Sequence, residues 1–366
     1  MPDDRRRRHG WGKKDLEIRR TFQGRTVIGG LFLPAALLSA VMPALTGGKE
    51  REKNMQEELL WLCENYIANR DTIKTELRGH NRRIYSVCAN IFCGRGQTAR
   101  RIVLRDCQAL LKEKVGLFSS FRGNLTAPVT CLLASGLFPV RHMDNAIRYY
   151  NRLAEDYYHS EQLALAAFLL PDMIPEEYLD ELIDRSREIY VAMKRAHPFL
   201  TSTRDSVFAL LLAFSPNRAK DAAAEMERCY QLLRHLYGSG SQTRTVAAIL
   251  ALQRGAPEDK AERLAAIVQA LRMRKARYGK GLELAPLAAM ADVSVPAQQV
   301  AGDILDVETY LSKRRGFRSM SRRERLMVAA MIVSDRVDPG RDAETSSLLA
   351  VIAMVAAEQA AAAASV

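Results

Sequence analysis

The chain has 366 residues, 48% of them hydrophobic and 26% charged, with a formal net charge of +12, so it can bury a substantial core. Six cysteines (Cys63, Cys88, Cys93, Cys107, Cys131 and Cys229) lack the short spacings of a disulfide framework or a zinc module, which excludes both classes and points to buried, reduced thiols. The charge attracts anionic partners in sum, yet residues 1–53 alone hold 12 Lys and Arg against 6 Asp and Glu, half of the excess.

Residues 1–53 read as a basic and apolar extension. Val27 to Leu45 is nearly free of polar side chains and follows a basic stretch that includes Arg5 to Arg8, Arg19, Arg20 and Arg25. Three readings compete. As a membrane span the stretch is marginal in length, and Gly29, Gly30, Pro34 and Pro43 weaken it as a helix. As an export signal it has Arg19-Arg20-Thr21-Phe22, which resembles a twin-arginine pattern, but the free cysteines oppose export. As an extension it lies upstream of a fold beginning near Met55, where helical periodicity starts. The third reading is favoured and places the protein in the cytoplasm, with Val27 to Leu45 its only route to a membrane.

Residues 54–96 are expected to form N-terminal capping helices, and Cys93-Gly94-Arg95-Gly96-Gln97-Thr98-Ala99 spans their boundary with the repeats. This segment matches G-x-G-x-x-A, but a dinucleotide site needs a strand before it, whereas Ile84 to Phe92 reads as a helix or short buried segment. From residue 97 to 336, long charged helices alternate with short ones rich in Ala, Leu, Val and Met, and the short ones align at Asn124, Ser160, Arg204, Thr243, Gly281 and Arg323. The expected long partners are Asp144 to Tyr157, Pro175 to Arg195, Arg218 to Leu236, Pro257 to Arg277 and Ala297 to Lys313. The fold class is therefore all-α, with six stacked helix-hairpin repeats forming either an αα-superhelical solenoid or an α/α toroid. The short helix should be the inner one, burying Ala127, Leu132, Ala164, Ala167, Phe208, Leu211, Ala247, Leu250, Ala285, Ala288, Val328 and Ala330. An aromatic near each junction (Phe121, Tyr158, Phe199, Tyr237, Tyr278, Phe317) is expected to plug the core under the turn. Residues 337–366 should close the last repeat as a capping helix from Leu348 onward, with Glu358 and Gln359 opposing a membrane anchor.

The segments Cys107-QALLKEK-Val115 with Gly116-LFSSFRGN-Leu125, then Glu188-IYVAMKRAHPFLTS-Thr203 and Tyr278-GKGLELAPLA-Ala289, resemble the bacterial family catalogued as domain of unknown function 4003. The resemblance runs from Met55 to the end and leaves residues 1–53 outside. It implies a helical fold and transfers no functional residue.

Chemistry is sparse. Gly279-Lys280 is not a phosphate loop, because Arg274 stands where the first glycine should be and Gly281 replaces the Ser or Thr. The histidines are not paired at metal-ligand spacing, and His197-Pro198 reads as a helix stop. Asn124-Leu125-Thr126 matches a glycosylation sequon that has meaning only in a secreted protein. No catalytic residue, metal site or cofactor is expected. The recurring polar positions are those that open the short helices: Asn124, Glu161, Asp205, Gln242, Glu283 and Glu324. Two of these acids facing each other across a cleft would suit acid and base catalysis in a hydrolase-like enzyme. Ser202-x-x-Asp205 and Ser321-x-x-Glu324, however, are capping boxes. Cations gather at the same turns: Arg122 and Arg204 near two helix starts, Arg277 and Lys280 before a third, and Arg314, Arg315, Arg318 and Arg322 around the last. At the ends of long helices they answer the dipole, but at the starts of short ones the dipole opposes them. The favoured function is a non-catalytic binding scaffold whose turns hold an anionic protein segment or small ligand. Nucleic acid is disfavoured because no recognition motif with stacking aromatics is present.

Overall fold

In the computed structural model the described residues are 48–337 apart from 81, 200, 202–204, 216–217 and 280. They lie in the unit that runs from Leu45 to Val366, the other unit being Met1–Ala44. The expectations for Val27 to Leu45, for the terminal helix from Leu348, and for Arg204 and Lys280 lie outside the described residues. Fourteen α-helices and no strand are present among the described residues. None of these helices is long and apolar enough to cross a membrane.

The odd-numbered helices are α1 (Gly48–Glu76), α3 (Arg101–Lys114), α5 (Pro139–Leu153), α7 (Leu179–Ala196), α9 (Ala219–Tyr237), α11 (Pro257–Met273) and α13 (Ala297–Ser312). Most are amphipathic, and α7, α9 and α11 are polarised along their length. α7 opens with Asp180 and Glu181 and closes with Lys194 and Arg195, and α11 opens with Glu258 and Asp259 and closes with Arg272. Acid at the amide end and base at the carbonyl end complement the helix dipole. Pro139 and Pro257 start α5 and α11, where the missing amide costs nothing.

The even-numbered helices are α2 (Arg82–Cys93), α4 (Thr126–Ser135), α6 (Glu161–Met173), α8 (Ser206–Leu212), α10 (Ser241–Leu252), α12 (Ala285–Ala288) and α14 (Arg322–Val337). All seven residues of α8 are buried, as is every residue of α6 from Gln162 to Leu170. A helix apolar on all sides must have neighbours on all sides. The twelve core positions expected from the sequence are all buried. All six cysteines are buried and free.

Each odd helix packs on the even helix that follows it. Odd helices also touch odd ones (α1 with α3, α3 with α5, α7 with α9, α9 with α11, α11 with α13), and even helices touch even ones. Helices α13 and α14 pack in turn on α1, and α14 also on α2. Arg70 of α1 is 7% exposed, lies 4.0 Å from the centre of the Phe317 ring and donates to the Arg315 carbonyl at 3.1 Å. Tyr310 donates to Glu64 at 3.2 Å beside it.

The turns from odd to even helices lean on a recurring aromatic position. Phe121 meets Tyr150 at 5.3 Å, Tyr157 meets Tyr190 at 6.2 Å, His197 meets Tyr230 at 4.8 Å and Phe317 meets Tyr66 at 6.4 Å. This pattern corrects the expected plugs. Phe121 and Phe317 are buried, but Tyr158 is 80% and Phe199 100% exposed, while Tyr237 and Tyr278 are half-buried. Tyr157 takes the inward place, held by the Ser186 hydroxyl at 2.7 Å, and His197 takes it in the next turn, held by Glu227 at 2.8 Å. The adjacent aromatics are thereby turned to water.

Candidate functional site: the edge of odd-to-even turns

These turns touch one another in succession and so lie along one edge. The Asn124 amide donates to Glu161 at 3.3 Å, joining the turns before α4 and α6. Tyr158 and Ser206 line one cleft, joining those before α6 and α8. Buried Arg244 donates to the Thr201 hydroxyl at 2.7 Å, joining those before α8 and α10. Gln242 and Gly281 join the next pair, where a Cβ on Gly281 would fall onto the Gln242 amide oxygen. Arg323 pairs with Glu283 at 2.7 Å, and Arg322 donates to the Lys275 carbonyl at 3.3 Å, joining the turns before α12 and α14. Gly279 lies under this pair, where an added Cβ would fall 2.5 Å from a Glu283 oxygen and push the side chain aside.

The acids that open the even helices are engaged. Besides Glu161 and Glu283, Glu324 accepts from the Ser321 amide at 3.0 Å while its own amide donates to the Ser321 hydroxyl at 3.2 Å, which is the expected capping box. Asp205 is buried at the first turn of its segment and acts on Tyr190, whose phenol is raised by burial and then by Asp205. Ser202 of the other expected box lies outside the described residues.

The cations at the even-helix starts, which the dipole leaves unexplained, have internal partners. Arg322 and Arg325 both reach Glu308, a carboxylate 6% exposed, at 3.5 and 2.8 Å. Arg318 donates to the Lys313 carbonyl at 3.0 Å and Arg122 weakly to that of Val115 at 3.5 Å. Arg314 lies over the Tyr310 ring at 4.2 Å. Arg277 and Arg315 are exposed, as are Lys112, Lys194, Arg195 and Lys313.

Between the turn after α5 and the second half of α7 is a cleft of about 130 Å³. Tyr157, Tyr158, Tyr190, Arg187 and Lys194 are on its walls together with Asp156, which Arg152 and Arg187 hold at 2.7 and 2.8 Å. Burial pushes the Tyr157 phenol up to about 12, so it stays a neutral hydrogen-bonding group at physiological pH. Sequence reasoning missed this cleft. The available signal was the forty-residue spacing of Tyr150, Tyr190 and Tyr230, which marks one position on successive long helices. The segment Cys93 to Ala99 is a turn after helix α2, with Gly96 at φ +63°, so no strand delivers it to a nucleotide. No group of three or more His, Cys, Asp or Glu suited to a metal ion occurs among the described residues.

The model of one family, described as a protein of unknown function (DUF4003), matches residues 69–360. The chain belongs to that family. The match covers most of the sequence, begins inside α1 and includes every turn along the edge. No curated protein and no solved structure matches the chain.

Proposed function

We propose that the helices pair into seven hairpins closed as an α/α ring, and that the protein is a non-catalytic binding module whose ligand surface is the edge of odd-to-even turns. The packing of α13 and α14 on α1 and α2 supports closure, with α1 and α2 as a seventh pair rather than a cap. The family description names no activity, so the reading rests on the edge itself.

One observation carries it: exposed cations stand at the ends of five odd helices, with Lys112 in the last turn of α3, Lys194 and Arg195 in α7, Arg234 in α9, Arg272 in α11 and Lys313 after α13. These exposed bases offset the partial negative charge of the helix C-termini and favour an anionic protein segment or small ligand. The alternative, an acid pair in a central cavity, lacks support because Glu161, Glu283, Glu324 and Asp205 each serve the local structure.

The test must avoid arginines that hold the fold. Arg318 and Arg322 are unsuitable for that reason, whereas Lys194, Arg195, Lys313 and Arg315 are exposed. With all four changed to Glu, salt-sensitive binding of polyglutamate should be lost while circular dichroism is unchanged. Equal binding by parent and variant, or none by the parent, removes the edge as an anion-binding surface.

A further inference from the structure

Single apolar side chains on a surface are ordinary. Here they recur at equivalent tips. Phe118 is 103% exposed, Tyr158 80% and Phe199 100%, one on each of the turns after α3, α5 and α7, and Leu117, 75% exposed, stands beside Phe118. Cations flank them: exposed Lys112 lies in the last turn of α3 and exposed Lys194 and Arg195 end α7, whereas Lys114 and Arg187 are paired with Asp144 and Asp156. Phe118 and Phe199, with their whole surface in water, stand proud of the molecule, and Tyr158 rises from the wall of its cleft. Convex aromatic tips set among cations suit a soft interface that is apolar below and anionic above.

We propose that this stretch of the edge docks on an anionic lipid bilayer, with Phe118, Tyr158 and Phe199 entering the headgroup layer and the neighbouring lysines and arginines lying against lipid phosphates. The proposal rests on the edge being an anion-binding surface and names its partner. Contact is peripheral and independent of Val27 to Leu45. Asp156, which would repel such a surface, is neutralised by Arg152 and Arg187.

The full-length chain is sedimented with vesicles of phosphatidylcholine alone or mixed with phosphatidylglycerol, beside a variant carrying Phe118→Ser, Tyr158→Ser and Phe199→Ser. The parent should bind the mixed vesicles at low salt and the neutral ones poorly. The variant should melt like the parent, yet bind the mixed vesicles roughly tenfold more weakly or worse, because a buried Phe is worth at least that factor. Equal binding by parent and variant would assign attachment to another segment and overturn the proposal. So would indifference to anionic lipid. A parent that ignores mixed vesicles but binds polyglutamate would sink the bilayer and leave the anion-binding edge standing.

Discussion

Tyr157 and Tyr158 are neighbours in sequence, identical in chemistry and opposite in fate. One is fixed by Ser186 and Tyr190, while the other is 80% exposed. Composition cannot separate them, because the choice is made by Ser186, 29 positions away on the next helix. Core leucines and alanines were legible for the converse reason: in a helix apolar on every side, any register buries them. The cysteines belong to the same class. Burial pushes the Cys63 and Cys229 thiols from 9.0 up to about 12, and Cys107 up to about 11. Above about pH 9 the unfolded chain ionises these groups and the folded chain does not, so stability should fall as pH rises through that window. Urea midpoints measured at pH 7, 8, 9 and 10 should decline over the last steps. A flat profile would mean the thiols are reached by water in the folded state.

At the scale of elements, helix ends with a signal in the local sequence were the ones read well. Ser321-x-x-Glu324 announces α14, and Pro257 announces α11. Replacing Ser321 by Ala removes the acceptor for the Glu324 amide and should cost about 1 kcal/mol, read as a lowered thermal midpoint. No loss would show that water caps the helix equally well. Where the turn depends on tertiary packing, the reading failed. The short helix from Gly281 was expected to match its siblings, but only Ala285–Ala288 is α-helical. Leu282–Leu284 forms a 3-10 turn, and Met290 and Ala291 bond three residues back, to Leu287 and Ala288. The tightening accompanies the close passage of Gly279 and Gly281 past Glu283 and Gln242, which no local propensity encodes. The cations of the candidate site were likewise legible as a cluster and illegible as individuals, since only geometry shows which of them, such as Arg322 on Glu308, meets a buried acid.

At the scale of the molecule, periodicity is a local property, and so it revealed hairpins without revealing whether the first meets the last. The proposed ring turns on a seam formed by Arg70, Phe317, Tyr310 and Glu64, with Arg336 lying 3.9 Å from Glu58 nearby. Arg70→Ala removes the cation from the Phe317 ring and the donor from the Arg315 carbonyl. Amide hydrogen exchange should then quicken in α1, α13 and α14 while α7 to α10 keep their protection. Uniform quickening across all pairs would mean the seam is no separate unit.

The same seam bears on how the chain reaches its fold. Each hairpin is made from contacts short in sequence, which form quickly, whereas Arg70 and Arg315 are separated by 245 residues. Closing a loop of that length in a flexible chain costs about 5 kcal/mol in entropy, but a stack already assembled brings its two ends together with most of that disorder spent. In the proposed ring, seam formation would be the last step of folding and its rupture the first of unfolding, and the opened stack would show two unpaired helix faces through which neighbouring molecules could exchange pairs.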